Sequence, residues 1–174
     1  MTRTIAIILI CGAILWICVS QLNHYLAPAH LSLFAGGLLV TFPSLRLDFR
    51  IGWWSALLIG LLIDSSTSVA FGFHGLLFVA THIGVFKLRG RFPREETSFG
   101  IFIALAANLA LFVVISASLI HRSPTPFGMV PRLLVDLFAS ELAVLLLAGW
   151  FFALQERALE LGGISLRREQ RGLR

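Results

Sequence analysis

An all-α membrane protein, folded as a bundle of six transmembrane helices, is what this sequence predicts on three observations. Hydrophobic residues make up 57% of the 174 and charged residues 13%, with a mean hydropathy of +0.89; a water-soluble domain of this size is far less apolar. The apolar residues fall into six runs with short polar breaks between them. A helical crossing takes about 20 residues for a hydrocarbon core of about 30 Å, so six crossings use nearly the whole chain and leave no room for a soluble catalytic domain.

The first span is expected at about residues 5–22. It reads as retained rather than cleaved, because the exit Ser20-Gln21-Leu22-Asn23 has no Ala-x-Ala site and Ile10 before Cys11 suits lipoprotein processing poorly. Cys11 and Cys18 are seven residues apart on this helix, about 10 Å along its axis, so they cannot bridge each other and read as small apolar residues. Asn23-His24-Tyr25 with Pro28 form the first turn. Span two, 31–45, contains Gly36-Gly37, a pair that permits close helix approach, and Arg46 to Arg50 closes it. Span three, 51–66, begins with Trp53 and Trp54, rings that favour a membrane interface. After the Ser65 to Ser68 cluster comes span four, 69–88, so spans three and four make a tight antiparallel hairpin. A basic loop from Lys87 to Glu96 leads to span five, 99–120. Ser123-Pro124-Thr125-Pro126 breaks the chain before span six, 130–154. The basic tail is 155–174, where Gly162-Gly163 ends any helical extension.

The formal charge of +5 does not point to nucleic acid, because the basic residues lie in short loops and form no stripe with interleaved aromatics. Topology explains them. With the N-terminus inside, twelve of the 14 Lys and Arg residues fall on the cytoplasmic side, leaving only Arg122 and Arg132 outside. The positive-inside rule therefore places both termini in the cytoplasm. The tail and the Lys87 loop then face anionic lipid, at roughly 1 kcal/mol per basic residue, or a cytoplasmic protein.

Asp64 is the most informative residue, because a carboxylate at the rim of a span is costly without a partner. Candidate donors are the hydroxyls and amides of Ser65 to Ser68 and the imidazole of His74. On one reading Asp64 caps span four and pins the hairpin; on the other it also anchors a partner protein. Gly60, one turn earlier on the same face, is consistent with a close neighbour there. Gly72 serves either close packing or the turn itself. Span six holds Arg132, Asp136, Ser140 and Glu141. Arg132 and Asp136 are spaced to pair along the helix. Glu141 lies near mid-depth, where a charge costs several kcal/mol, so it should face the bundle interior and be either protonated or paired, with Asn108 of span five as the candidate partner. That arrangement serves either packing or a polar cavity.

Nothing in the chain assembles a catalytic or metal centre by motif. There is no Gly-x-Ser-x-Gly elbow, no His-Glu-x-x-His pair and no phosphate-binding glycine loop. His74 and His82, eight apart, lack a matching Cys or carboxylate. The expectation is a protein that is not an enzyme and has no cofactor or metal.

Gly60-x-x-x-Asp64, then Gly72 and His74, an apolar run and a basic loop resemble the MreD family of bacterial rod-shape-determining inner-membrane proteins. Length, six expected spans and a closing aromatic-rich helix with a charged tail match over most of the chain. One departure lies in the last span, where Ala148-Gly149-Trp150 replaces the family's frequent Pro beside aromatics. The resemblance implies a non-enzymatic scaffold for lateral peptidoglycan synthesis that binds MreC and works with MreB, RodA and its penicillin-binding transpeptidase. It carries Gly60, Asp64, Gly72 and His74 as motif residues, and implies a fold similar to the substrate-binding subunits of energy-coupling-factor transporters. The alternative function is a small-molecule-binding subunit of such a transporter, with Asn108, Asp136 and Glu141 lining a pocket. The topology is testable directly: a reporter fused after Arg174 that works only in the cytoplasm is predicted to be active, and activity restricted to an external reporter would overturn the orientation.

Overall fold

Runs of Leu, Ile, Ala and Phe with few breakers fold, among the described residues, as six α-helices: α1 (Thr2–Leu26), α2 (Gly36–Arg46), α3 (Phe49–Ser66), α4 (Phe73–Leu88), α5 (Thr97–Arg122) and α6 (Pro126–Leu161). Single 3-10 turns follow α1 at Ala27–Ala29 and α4 at Arg89–Arg91. The computed structural model describes residues 1–67, 69–91, 97–122 and 126–164, and these include no β-strand. Ser68, the part of the expected basic loop at 92–96, the break at 123–125 and the tail beyond Ile164 lie outside the described residues. Among those described, three stretches are long and apolar enough to cross a membrane: Thr2–Ala29, Ser98–His121 and Gly128–Leu161. α4 is apolar but shorter, at 16 residues.

Most elements extend a few residues past their expected limits. The second one differs in kind. Residues 31–35 are not helical, and α2 has only 11 residues, about 16 Å of rise. The cause is local: His30 adopts a left-handed conformation (φ 54°) that turns the chain, and Gly36-Gly37 are weak helix formers. The chain therefore runs as an arm before α2 starts. The first turn also moves, since Asn23 to Leu26 are still helical and the reversal falls at His30.

This short helix is the centre of the bundle. Every residue from Gly36 to Ser44 is buried, and α2 packs against α3, α4, α5 and α6. α1 covers α3 and α6, while α3 and α4 form the most extensive helix pair. Gly37 allows the α2–α5 crossing: a Cβ there would stand 2.4 Å from the Ala104 carbonyl oxygen and 2.6 Å from the Asn108 backbone nitrogen. Phe42, Leu38, Phe78, Phe151 and Ile59 fill the core around it with no more than 1% of their surface exposed. α6 ends at the glycine pair, as its sequence predicts, through bonds from Gly163 N to Glu160 O and Ile164 N to Leu159 O, both 2.9 Å, with Gly163 at φ 75°; this is a Schellman stop.

Because the Gly37 contact is with backbone, even one methyl group must push α5 away. Gly37→Ala is predicted to lower the thermal midpoint in detergent, at a cost of about 1–3 kcal/mol. Gly84→Ala on α4, where a Cβ meets nothing within 4 Å, should leave the midpoint unchanged or slightly raised. Equal behaviour of the two variants would remove the close crossing.

Candidate functional site

Polar corners interrupt the apolar bundle. The first lies where α3 hands over to α4. Gly72 precedes α4 in a left-handed conformation (φ 95°) and has no side chain with which to cap the helix. Asp64, in the last turn of α3, does this instead. Its Oδ2 accepts from the backbone N–H of Gly72 at 3.0 Å and of Gly75 at 3.2 Å, while Oδ1 accepts from the backbone N–H of His74 at 3.0 Å. His74 Nδ1–H adds a fourth bond to Oδ1 at 2.7 Å. A carboxylate at the first turn of a helix meets orphan N–H groups and the positive end of the helix dipole together. Asp64 and His74 are 3% and 4% exposed, so the whole pair is enclosed.

The glycines explain how the two chains come so close. A Cβ on Gly60 would lie 2.6 Å from both the Cα and N of Gly75, so the first turn of α4 sits directly on the α3 backbone. Gly72 is different: nothing lies within 4 Å of its would-be Cβ, and glycine is required there by the positive φ rather than by packing. Among the described residues, Ser65 and Ser66 are not its side-chain donors; Ser68 lies outside the described residues. Ser65 Oγ donates to Leu62 O and Ser66 Oγ to Ile63 O, each back along its own helix, and Ser66 Oγ also accepts from Trp16 Nε1 of α1. The reason is reach: the α4 backbone already surrounds both carboxylate oxygens.

The second corner serves the non-helical arm. Ser32 N–H donates to Asp136 Oδ1 at 2.8 Å, and Ser32 Oγ to Oδ2 at 3.1 Å. Leu33 exchanges two bonds with the Asn23 side chain, at 2.7 and 2.8 Å. Phe34 N–H donates to Ser140 Oγ, and Gly37 N–H, in the first turn of α2, to Asn108 Oδ1, both at 3.0 Å. Asn108 Nδ2 in turn donates to Glu141 Oε1 at 3.1 Å. The pairing of Asn108 with Glu141 expected from their depth is thus present, but Glu141 is only partly buried rather than turned fully to the bundle interior. Arg132 stands 3.9 Å from Asp136 Oδ2 and is mostly exposed, so Ser32, rather than Arg132, is the main partner of Asp136.

A third polar contact has no counterpart in the sequence-based expectations. His82, fully buried, has Nδ1 2.8 Å from Ser44 Oγ and Nε2 3.1 Å from the Phe49 carbonyl oxygen. The carbonyl only accepts, so Nε2 carries the proton. Gly52 makes room for the ring, since a Cβ there would be 2.3 Å from His82 Cε1. Beside it Arg89 donates to Leu47 O at 2.7 Å and Ser44 O at 3.3 Å, closing the end of α2, and its guanidinium lies 3.6 Å from the Phe86 ring centre. Ser44 and His82 are both 0% exposed, so this serine–histidine pair offers a substrate no approach. Nothing in the sequence spacing marks Ser44, 38 residues away, as the partner of His82.

Among the described residues no three His, Cys, Asp or Glu side chains gather as a metal site. Asn108, Asp136 and Glu141 line neither of the two clefts between the long helices. Both clefts are apolar, one of about 310 Å³ between α1 and α6 and one of about 240 Å³ between α5 and α6. Comparison of the chain with protein-family models, with curated proteins and with solved structures gives no match.

Removing the cap tests the first corner. Asp64→Ala strands three backbone N–H groups and His74, and is predicted to destabilise the protein by about 2–4 kcal/mol. Gly72→Ala should cost about 1 kcal/mol through its left-handed backbone alone. Thermal midpoints in a fixed detergent measure both, and an Asp64→Ala variant as stable as the parent would refute the capping role.

Proposed function

We propose that this chain is a non-enzymatic membrane scaffold of the bacterial cell-elongation machinery, of the MreD kind, that binds an MreC-like protein. Through it the chain would act with MreB, RodA and the penicillin-binding transpeptidase in lateral peptidoglycan synthesis. In this reading it crosses the inner membrane six times with both termini in the cytoplasm. The non-helical arm at 31–35 could add at most about 16 Å at roughly 3.3 Å per residue, and α2 adds about 16 Å more, which together match the length the second crossing needs.

The observation that carries this reading is the convergence of Gly60, Asp64, Gly72 and His74. Four residues spread over fifteen positions meet at one enclosed corner, each with a distinct physical task. A rigid hairpin of that kind suits a scaffold, which must present one fixed surface. The transporter-subunit alternative draws less support, because two of the three residues it would use are engaged by protein: Asn108 and Asp136 bond backbone N–H groups of the first turn of α2 and of the arm.

Recovery of an MreC-like partner from bacterial membranes co-expressing both proteins tests the proposal. Gly60→Leu drives a side chain into the first turn of α4 and is predicted to reduce recovery at least as strongly as Asp64→Ala. Undiminished recovery with both variants would count against the hairpin. Thermal stabilisation by a small molecule, with dependence on transporter ATPases, would replace the scaffold with the transporter reading.

A further inference from the structure

Glu141 stands apart from the other buried acids. Asp64 and Asp136 are 3% exposed, and protein groups bond both oxygens of each. Glu141 is only partly buried and, among the described residues, is bonded through Oε1 alone, to Asn108. It lies near the middle of α6, a helix long enough to cross the membrane, on the edge that meets α5. Directly toward the start of α6 the two helices part, and Phe112, Ser116, Leu134 and Leu137 wall the cleft of about 240 Å³ between them. Leu137 is one turn from Glu141. Around the cleft, Val113 is 52%, Phe138 74% and Leu145 49% exposed, so the apolar surface continues past Glu141 on both sides.

We infer that this α5–α6 face seats a transmembrane helix of a partner protein, which inserts an apolar side chain into the cleft and offers a hydrogen-bond donor to Glu141 Oε2. The inference rests on the scaffold reading and names its contact face. Hydrocarbon tails fill an apolar cleft but supply no donor, and an unsatisfied polar group at that depth costs several kcal/mol. A hydroxyl, amide or indole N–H on a neighbouring helix satisfies it. A second copy of the chain would set two equivalent carboxyl groups against each other if a two-fold axis passed at Glu141, and crosslinks to a second copy are a separate outcome of the test. The α1–α6 cleft makes no such demand, because its lining residues, such as Leu15, Leu147 and Phe151, are apolar and lipid suffices there.

The test uses the full-length chain co-expressed with the MreC-like protein, carrying a photo-crosslinking amino acid at Val113, at Leu145 or, in the α1–α6 cleft, at exposed Ile14 of α1. Crosslinks to the partner from Val113 and Leu145 but not Ile14 are expected. Glu141→Leu should then lower their yield about fivefold, the effect of one lost hydrogen bond, and Glu141→Gln should lower it as well, because its one amide oxygen is held by Asn108 Nδ2 and its NH2 group takes the place of the open acceptor. Partner crosslinks from Ile14 alone would overturn this face and leave the scaffold reading intact. Crosslinks from Val113 and Leu145 only to lipid or to a second copy would also overturn it, as would full yield with Glu141→Leu. Loss of partner recovery in the unmutated chain would remove the scaffold reading and this inference with it. Because the three positions are compared with Glu141 in place, the assignment of the face does not depend on the stability of the Glu141 variants.

Discussion

The arm that precedes α2 sets the constraint on which this bundle depends. Backbone N–H groups outside a helix have no water to turn to once they are packed inside an apolar bundle, and each one left unpaired there is costly. Between residues 32 and 37 the chain solves this with side chains from three helices: Asn23 from α1, Asn108 from α5, and Asp136 and Ser140 from α6. Each of these residues would be a liability on an isolated span. Together they fix where the arm lies, and hence where α2 enters the core. The same bonds tie α1, α5 and α6, the membrane-length helices, to the buried one, so the polar groups act as the alignment device for an otherwise uniform set of apolar surfaces.

The Asp64 corner obeys the same rule with different parts. A helix that starts without a side-chain cap leaves orphan donors, and α4 starts at a glycine because the chain must turn with positive φ. The carboxylate that fills the gap comes from the preceding helix, and it reaches the gap only because Gly60 lets the α4 backbone touch α3. Gly60, Gly72 and Asp64 are therefore coupled. A side chain at Gly60 moves the donors away from Asp64, and a strained residue at Gly72 moves them in another direction. His74 closes the remaining open side of the carboxylate. Enclosed to this degree, Asp64 acts on anything outside the bundle by holding the hairpin's shape rather than by direct contact.

Much of this architecture is legible in the sequence, for identifiable reasons. Long apolar runs between polar breaks mark helices reliably, and the costs of burying Asp64, Asn108 and Glu141 single them out from residue type and position alone. The pairing of Asn108 with Glu141 follows from matching depth on consecutive spans, and the stop at Gly162-Gly163 from glycine's freedom in the left-handed region. Hydropathy fails at residues 31–35, because Leu31, Leu33 and Phe34 are as apolar in an arm as in a helix. What distinguishes the two is the backbone bonding, whose acceptors lie more than a hundred residues away at Asp136 and Ser140. The donors to Asp64 are only partly readable for a related reason: neighbouring serines are conspicuous in a sequence, while backbone amides are invisible in it. Ser44 with His82 is hidden because a lone serine in an apolar run carries no signal of its partner.

On the proposed scaffold reading, the division of the acidic residues into two classes limits how the bundle would recognise a partner. A fully satisfied carboxylate such as Asp64 or Asp136 gives a partner nothing to bond, since both of its oxygens are already taken by groups that cannot leave without unfolding the corner. Recognition within the membrane must then come from shape or from an acid that is only half engaged. Apolar shape alone discriminates poorly there, because lipid tails compete for the same surface on equal terms. Glu141, anchored on one oxygen by Asn108 and, among the described residues, open on the other, combines a fixed position with an unmet demand. Asn108 is itself held by the first turn of α2, so this acceptor on the α5–α6 face is placed by the same backbone bonds that hold the core together. Any displacement of α2 would therefore reach that face through Gly37, Asn108 and Glu141 in turn.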